Sequence, residues 1–111
     1  MAWLPRERTA FVVDHLGGVR AVADLLGVSP SQPSRWRSGQ ETPGPEAARL
    51  LVDLDHVLAT LLQVWVPEVA SDWLQTPNAH LDGARPIDVL RVRGSAEVVA
   101  AARAEAAGAY A

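Results

Sequence analysis

Trp73-Leu74-Gln75-Thr76-Pro77-Asn78-Ala79-His80-Leu81-Asp82-Gly83-Ala84-Arg85-Pro86-Ile87-Asp88-Val89-Leu90 reads as the end of one helix, a tight polar loop and the start of another helix. Pro77-Asn78 and Asp82-Gly83 are turn formers. Gly83 is expected to take a positive φ, which costs glycine little. Asn78 or Asp82 can hydrogen-bond neighbouring backbone and hold the loop. Pro86, with its fixed φ, suits the first turn of the following helix. Trp73, Leu74 and Leu81 are expected to pack beneath the loop, and Ile87, Val89 and Leu90 supply an apolar face. Nothing in the stretch is arranged for catalysis. A fixed loop with an apolar rim serves structure or recognition.

Outward from this stretch, the periodicity is helical throughout. The first helix is expected over residues 5–16, with Ala10, Val13 and Leu16 inward and Phe11 or Val12 beside them. Gly17-Gly18 ends it. Val19, Val22, Ala23 and Leu26 then fall on one face of a second helix, ended by Gly27. Ser29 as N-cap and Pro30 as first residue predict a third helix over residues 30–38, stopped at Gly39. Pro43 and Pro45 open the longest helix, whose stripe is Ala47, Leu51, Leu54, Leu58, Leu61 and Trp65. Leu50, Val57, Leu62 and Val64 widen that stripe, so it is expected to meet more than one surface. Pro67 ends this helix or starts a short one running to about Gln75. After the loop, a two-turn helix runs from Pro86 to about Arg91, and Ser95 caps an Ala-rich helix ending at Gly108. The fold class is therefore all-α, with an N-terminal helix-turn-helix bundle followed by a small helical domain.

The helix-turn-helix reading rests on fixed offsets. Val22, Ala23 and Leu26 take the pinning positions, Gly27 the turn, Val28 the buried residue after it and Trp36 the last anchor. Pro33 departs from the pattern, because it lacks the N–H that would bond back to Ser29. Either the third helix starts late, near Gln32, or its first turn is loosened. Its exposed face comprises Ser29, Ser31, Gln32, Ser34 and Arg35. Gln can pair with adenine and Arg with guanine, while Ser and backbone N–H groups reach phosphate. Arg37, Arg20 and Gln40 add candidate backbone contacts. Trp36 is read as core rather than a stacking platform.

Composition sets outer bounds. At 111 residues, 49% of them apolar, the chain can pack one small domain or two half-domains sharing a core. It has no Cys, so disulfide and thiol chemistry are excluded. The first residues lack the basic flank and apolar core of a signal peptide, and no run approaches the roughly 18 apolar residues of a membrane span. A cytoplasmic protein without membrane contact is expected. All ten basic residues are Arg, which fits the coding bias of a GC-rich genome. Residues 1–49 carry six Arg against five acids, and residues 50–111 four against eight. That asymmetry hints at different partners for the two ends, although the first half is not strongly basic. His15, His56 and His80 lack metal-ligand spacing. Asp53 and Asp55 lie on different faces of a helix. No enzyme, cofactor or metal site is expected.

Trp73-Leu74, then Pro77-Asn78, then Leu81, Gly83, Pro86 and Leu90, downstream of a helix-turn-helix, resembles the Xre/MbcA/ParS antitoxin family. The small-residue end Ala106-Ala107-Gly108 fits too, and the resemblance covers essentially the whole chain. It implies a helix-turn-helix domain over residues 1–48 and a toxin-binding domain over 49–111. It further implies a type II toxin–antitoxin module whose partner is a RES-domain toxin that consumes NAD⁺. The antitoxin would block the NAD⁺ pocket, form homodimers and bind operator DNA at its own promoter. Carried over residue by residue, toxin contact falls on Trp73, Asn78, Leu81, Gly83 and Pro86, with Arg85, Arg91 and Arg93 as polar contacts, and on Gly108, Ala109, Tyr110 and Ala111. The alternative is a stand-alone helix-turn-helix repressor, in which the C-terminal motif is only structural.

Overall fold

The structure is a computed structural model that describes residues 5–108. Among the described residues there are seven α-helices, one 3₁₀ turn and no strand. The helices are α1 (Pro5–His15), α2 (Val19–Leu26), α3 (Ser31–Ser38), α4 (Pro45–Leu61), α5 (Pro67–Gln75), α6 (Pro86–Arg93) and α7 (Ala96–Gly108), with the 3₁₀ turn at Ala79–Leu81. No helix is long and apolar enough to cross a membrane.

Prolines set the helix starts. Residues before a proline are pushed out of the helical region. Val66 (φ −69°, ψ 159°) and Arg85 (φ −75°, ψ 136°) are accordingly extended, and α5 and α6 begin at Pro67 and Pro86. α4 likewise begins at Pro45. It ends at Leu61, short of Trp65, because the chain leaves the helix through turns before the extended Val66. α6 runs two residues beyond the expected Arg91.

The chain divides into two compact units, Met1–Asp55 and His56–Ala111. In the first, α1 packs against α3, and α2 packs against both. Val12, Val13, Leu16, Val22, Ala23, Leu25, Leu26, Trp36, Leu50, Leu51 and Leu54 are its buried apolar residues. Thr9 is buried where Ala10 was expected, and its hydroxyl donates to the Pro5 carbonyl (2.6 Å). Gly27 ends α2 at φ +73°, and the Val28 N–H reaches back to the Ala23 carbonyl at 3.0 Å. That is the six-to-one closure of a left-handed helix end.

α3 departs from the sequence reading at its start. Ser29 is not a side-chain cap: its hydroxyl pairs with that of Ser31 (3.0 Å), and its carbonyl accepts from the Gln32 N–H (3.0 Å). The helix begins at Ser31, so the buried Pro33 is its third residue. The first N–H groups of a helix have no intrahelical acceptor, so a proline there removes no bond. The irregularity expected from Pro33 is therefore absorbed.

The two units divide inside α4, between Asp55 and His56, beyond the 48/49 boundary read from sequence. The physical reason is that the first half of α4 closes the N-terminal core. It contributes Leu50, Leu51 and Leu54, and Asp55 pairs with Arg8 of α1. Val57, Leu58 and Leu61 are buried in the second unit, whose other buried apolar residues include Ala70, Leu74, Leu81, Ile87, Val89, Leu90, Val98, Val99, Ala101 and Ala102. There α6 packs against α5 and α7, and α7 also contacts the 3₁₀ turn.

Candidate functional site

The loop between α5 and α6 is built around Asn78, a polar side chain only 6% exposed. Its Oδ1 accepts from the His80 N–H at 2.8 Å, capping the 3₁₀ turn. Its Nδ2 donates to Glu105 Oε1 of α7 at 3.3 Å. Its backbone N–H donates to the Ala84 carbonyl (3.0 Å), and its own carbonyl accepts from Leu81 (3.0 Å) and Gly83 (2.9 Å). One residue thus closes the loop on itself and fastens it to α7. Buried polar groups are tolerated only when bonded in this way. Asp82 (φ +56°) and Gly83 (φ +85°) reverse the chain consecutively in left-handed geometry. A Cβ on Gly83 would meet nothing within 4 Å, so its glycine is required by φ rather than by space.

The sequence-derived contact residues separate into two groups. Asn78, Leu81 and Pro86 are buried and shape the loop from within. Trp73 is half-buried, with its ring 6.5 Å from that of Trp65 and tilted by 40°. Gly83, Arg85, Arg93 and Gly108 are exposed, and Arg91 is half-buried. Ala109, Tyr110 and Ala111 lie outside the described residues.

Two of the arginines are occupied. Arg85 grips Asp88 with two bonds, Nε to Oδ2 at 2.8 Å and Nη2 to Oδ1 at 3.0 Å. Arg93 does the same to Glu97, Nε to Oε1 at 3.0 Å and Nη2 to Oε2 at 3.0 Å. The Arg85 hydrogen bond holds the Asp88 carboxyl below its ordinary range against the opposing effect of burial, helped by the charges of Arg85 and Arg91. A carboxylate with a depressed folded pKa stabilises the protein above its unfolded pKa and loses that contribution as pH falls through the folded value. Asp88→Asn should therefore lower the melting temperature near neutral pH, and the deficit should vanish on acidification below the usual carboxylate range. The pair is about half exposed, so the effect is small. Parallel melting curves of parent and variant from pH 7 to pH 3 test this, and a deficit that is constant with pH would contradict it.

Sequence reasoning missed one residue here. Glu105 stands 27 positions after its partner Asn78, beyond any local pattern.

The candidate nucleic-acid face lies on the first unit. Ser29, Ser31, Ser34 and Arg37 are exposed, and Gln32 and Arg35 are half-buried. Arg37 Nη2 donates to Asp14 Oδ1 (3.1 Å), and Arg35 Nε lies 3.5 Å from Glu41 Oε2. Gln32 lines an open cleft of about 340 Å³ together with Trp36, Glu41, Thr42 and Glu46. The two carboxylates of that cleft are unfavourable to phosphate. Because the unit extends to Asp55, it holds six Arg against seven acidic residues and is not net basic. Arg20 and Gln40 are exposed.

Residues 53–105 match the family model described as the antitoxin Xre/MbcA/ParS C-terminal toxin-binding domain. The chain is 30% identical over 89 residues to the mycobacterial cidal antitoxin MbcA of Mycobacterium tuberculosis, covering 80% of this chain and 79% of that protein. MbcA of Mycobacterium bovis matches to the same extent. Among solved structures, a chain of the M. tuberculosis MbcT–MbcA toxin–antitoxin complex superposes with a TM-score of 0.78 at 27% identity, covering 96% of each chain.

Proposed function

The chain belongs to the Xre/MbcA/ParS antitoxin family, and on that premise we propose that it binds and neutralises a toxin through its C-terminal unit. The match to a toxin-binding domain and the likeness to a chain of a toxin–antitoxin complex support this reading. The observation that carries it is the Asn78 clamp, which holds a loop and α7 in one fixed geometry. A surface preorganised in this way loses little entropy when a partner docks on it. The partner is a RES-domain toxin, and neutralisation works by covering its NAD⁺ pocket. α7 carries a row of small outward residues, Ala96, Ala100, Ala104 and Ala107, beside the exposed Glu97 and Arg103. The chain acts as a homodimer in the cytoplasm, with no catalytic activity of its own.

Operator binding is the second part of the proposal. Ser29, Ser31, Gln32, Ser34, Arg35 and Arg37 read and hold the duplex, but the arginines must first exchange Asp14 and Glu41 for phosphate or base. Exposed pairs of this kind are each worth about 0.2–1 kcal/mol, so the exchange is feasible at modest affinity.

The test is co-expression with the protein encoded beside this chain, following growth and cellular NAD⁺. The expected result is that the neighbour alone depletes NAD⁺ and that this chain restores it. A chain ending at Ala107 should bind the toxin yet rescue poorly if the last residues cover the pocket. A harmless neighbour, or no rescue by the full chain, would favour a stand-alone repressor.

A further inference from the structure

We propose that the outer face of α5, an apolar strip of Val66, Val69 and Trp73 with an acidic edge, docks antiparallel on the outer face of α7 of a second copy of this chain. The inference rests on the homodimer in the reading above and deepens it by naming the two surfaces that meet.

Val66 is 60% exposed and Val69 44%. Trp73 is half-buried, and its ring leans on that of the half-buried Trp65 at 6.5 Å. Val66 caps α5 three residues before Val69, and Trp73 follows four residues after it, so the three share one side of the helix. Ala70 and Leu74 are the α5 residues buried in the core. Scattered apolar side chains at a surface are ordinary, but adjacent ones that include an indole mark an interaction site.

Charge narrows the occupant. Glu68 and Asp72 line one edge of the strip, both exposed, and among the described residues neither makes an ion pair. No Arg lies between Arg49 and Arg85 in the sequence. The acidic edge is unfavourable to the phosphates of nucleic acid or of anionic lipid. The same α5 face of a second copy would add two more carboxylates and no cation. The occupant must bring a cation beside an apolar surface.

α7 of a second copy has both. Arg103 is exposed on one edge of its outer face and makes no ion pair among the described residues. Glu97, bonded to Arg93, stands on the other edge. From Val66 to Trp73 the strip steps three residues and then four; from Ala107 back to Ala100, α7 steps three and then four. Antiparallel packing therefore sets Val66 over Ala107, Val69 over Ala104 and Trp73 over Ala100, large side chains on small ones. In that orientation Arg103 comes level with the gap between Glu68 and Asp72. Parallel packing would put Glu97 on the acidic edge instead. Under a two-fold axis the contact is made twice, each copy giving its α5 to the other's α7.

The test is sedimentation of the full chain alone, as parent and variants, over a range of concentrations. The parent should dimerise. Val69→Asp should weaken the dimer about a hundredfold, because it sets a charge in the centre of the contact. Arg103→Glu should weaken it about tenfold, because it places a third carboxylate beside Glu68 and Asp72. Adding Glu68→Arg and Asp72→Arg to Arg103→Glu should restore the dimer, a rescue that a merely structural role for Arg103 does not give. All variants should keep the parent's circular dichroism. If Val69→Asp and Arg103→Glu both dimerise as the parent does, the surfaces are misassigned although the homodimer stands. If the charge reversal gives no rescue, Arg103 does not face the acidic edge and the contact is wrong. A parent that stays monomeric overturns the homodimer and this contact together, whereas toxin neutralisation is read separately by the rescue of growth.

Discussion

Asn78→Ala should remove about 2–3 kcal/mol from the C-terminal unit and, with it, most toxin binding. Two side-chain bonds disappear together, to the His80 N–H and to Glu105. The His80 N–H then loses its cap, and α7 loses its polar link to the loop. In a small protein that loss corresponds to a fall of roughly 10 °C or more in melting temperature. Asn78→Asp separates the two bonds. It keeps the acceptor for His80 but sets a second carboxylate beside Glu105. Asn78→Asp should therefore be destabilised at neutral pH, and adding Glu105→Gln should restore much of the loss. If the double variant is no more stable than Asn78→Asp, the contact with Glu105 does not stabilise the loop.

Trp36→Ala is expected to have the largest effect in the first unit. The indole is 2% exposed and is the only large side chain that α3 places in the core. Truncating a buried aromatic residue costs about 3–5 kcal/mol. Domains of this size hold only about 5–15 kcal/mol in total, so α1–α3 should lose cooperative packing. Urea unfolding and amide exchange across α2 and α3 measure the outcome, and Trp36→Phe should lie between variant and parent. The proposed operator binding should be lost with the fold of α3. If exchange protection in α2 and α3 is unchanged in Trp36→Ala, the indole does not anchor the helices.

Neutral arginine pairs recur in both units. Arg37, Arg35, Arg85 and Arg93 all sit on acidic partners. As a group they present donors that are already oriented but carry little net charge. Such surfaces discriminate between partners more through shape and apolar anchoring than through long-range attraction.

Most of what depends on a few neighbouring residues was legible in the sequence, the expected Ser29 cap of α3 being an exception. Pro45, Pro67 and Pro86 start their helices because proline fixes its own φ and displaces the residue before it. Gly27, Gly39 and Gly83 reverse the chain because left-handed geometry costs glycine little. The apolar stripes of α2 and α4, the burial of Trp36 and the loop-holding role of Asn78 were legible for the same reason. The tertiary structure decided which distant groups meet. It chose Glu105 for Asn78, Asp14 for Arg37 and Asp55 for Arg8, pairs that no spacing rule links. It shifted the start of α3 so that Pro33 fell where no N–H is needed, and it divided α4 between two cores. Dihedral preference and capping act over a single turn of chain, whereas burial and charge pairing act only between elements already folded.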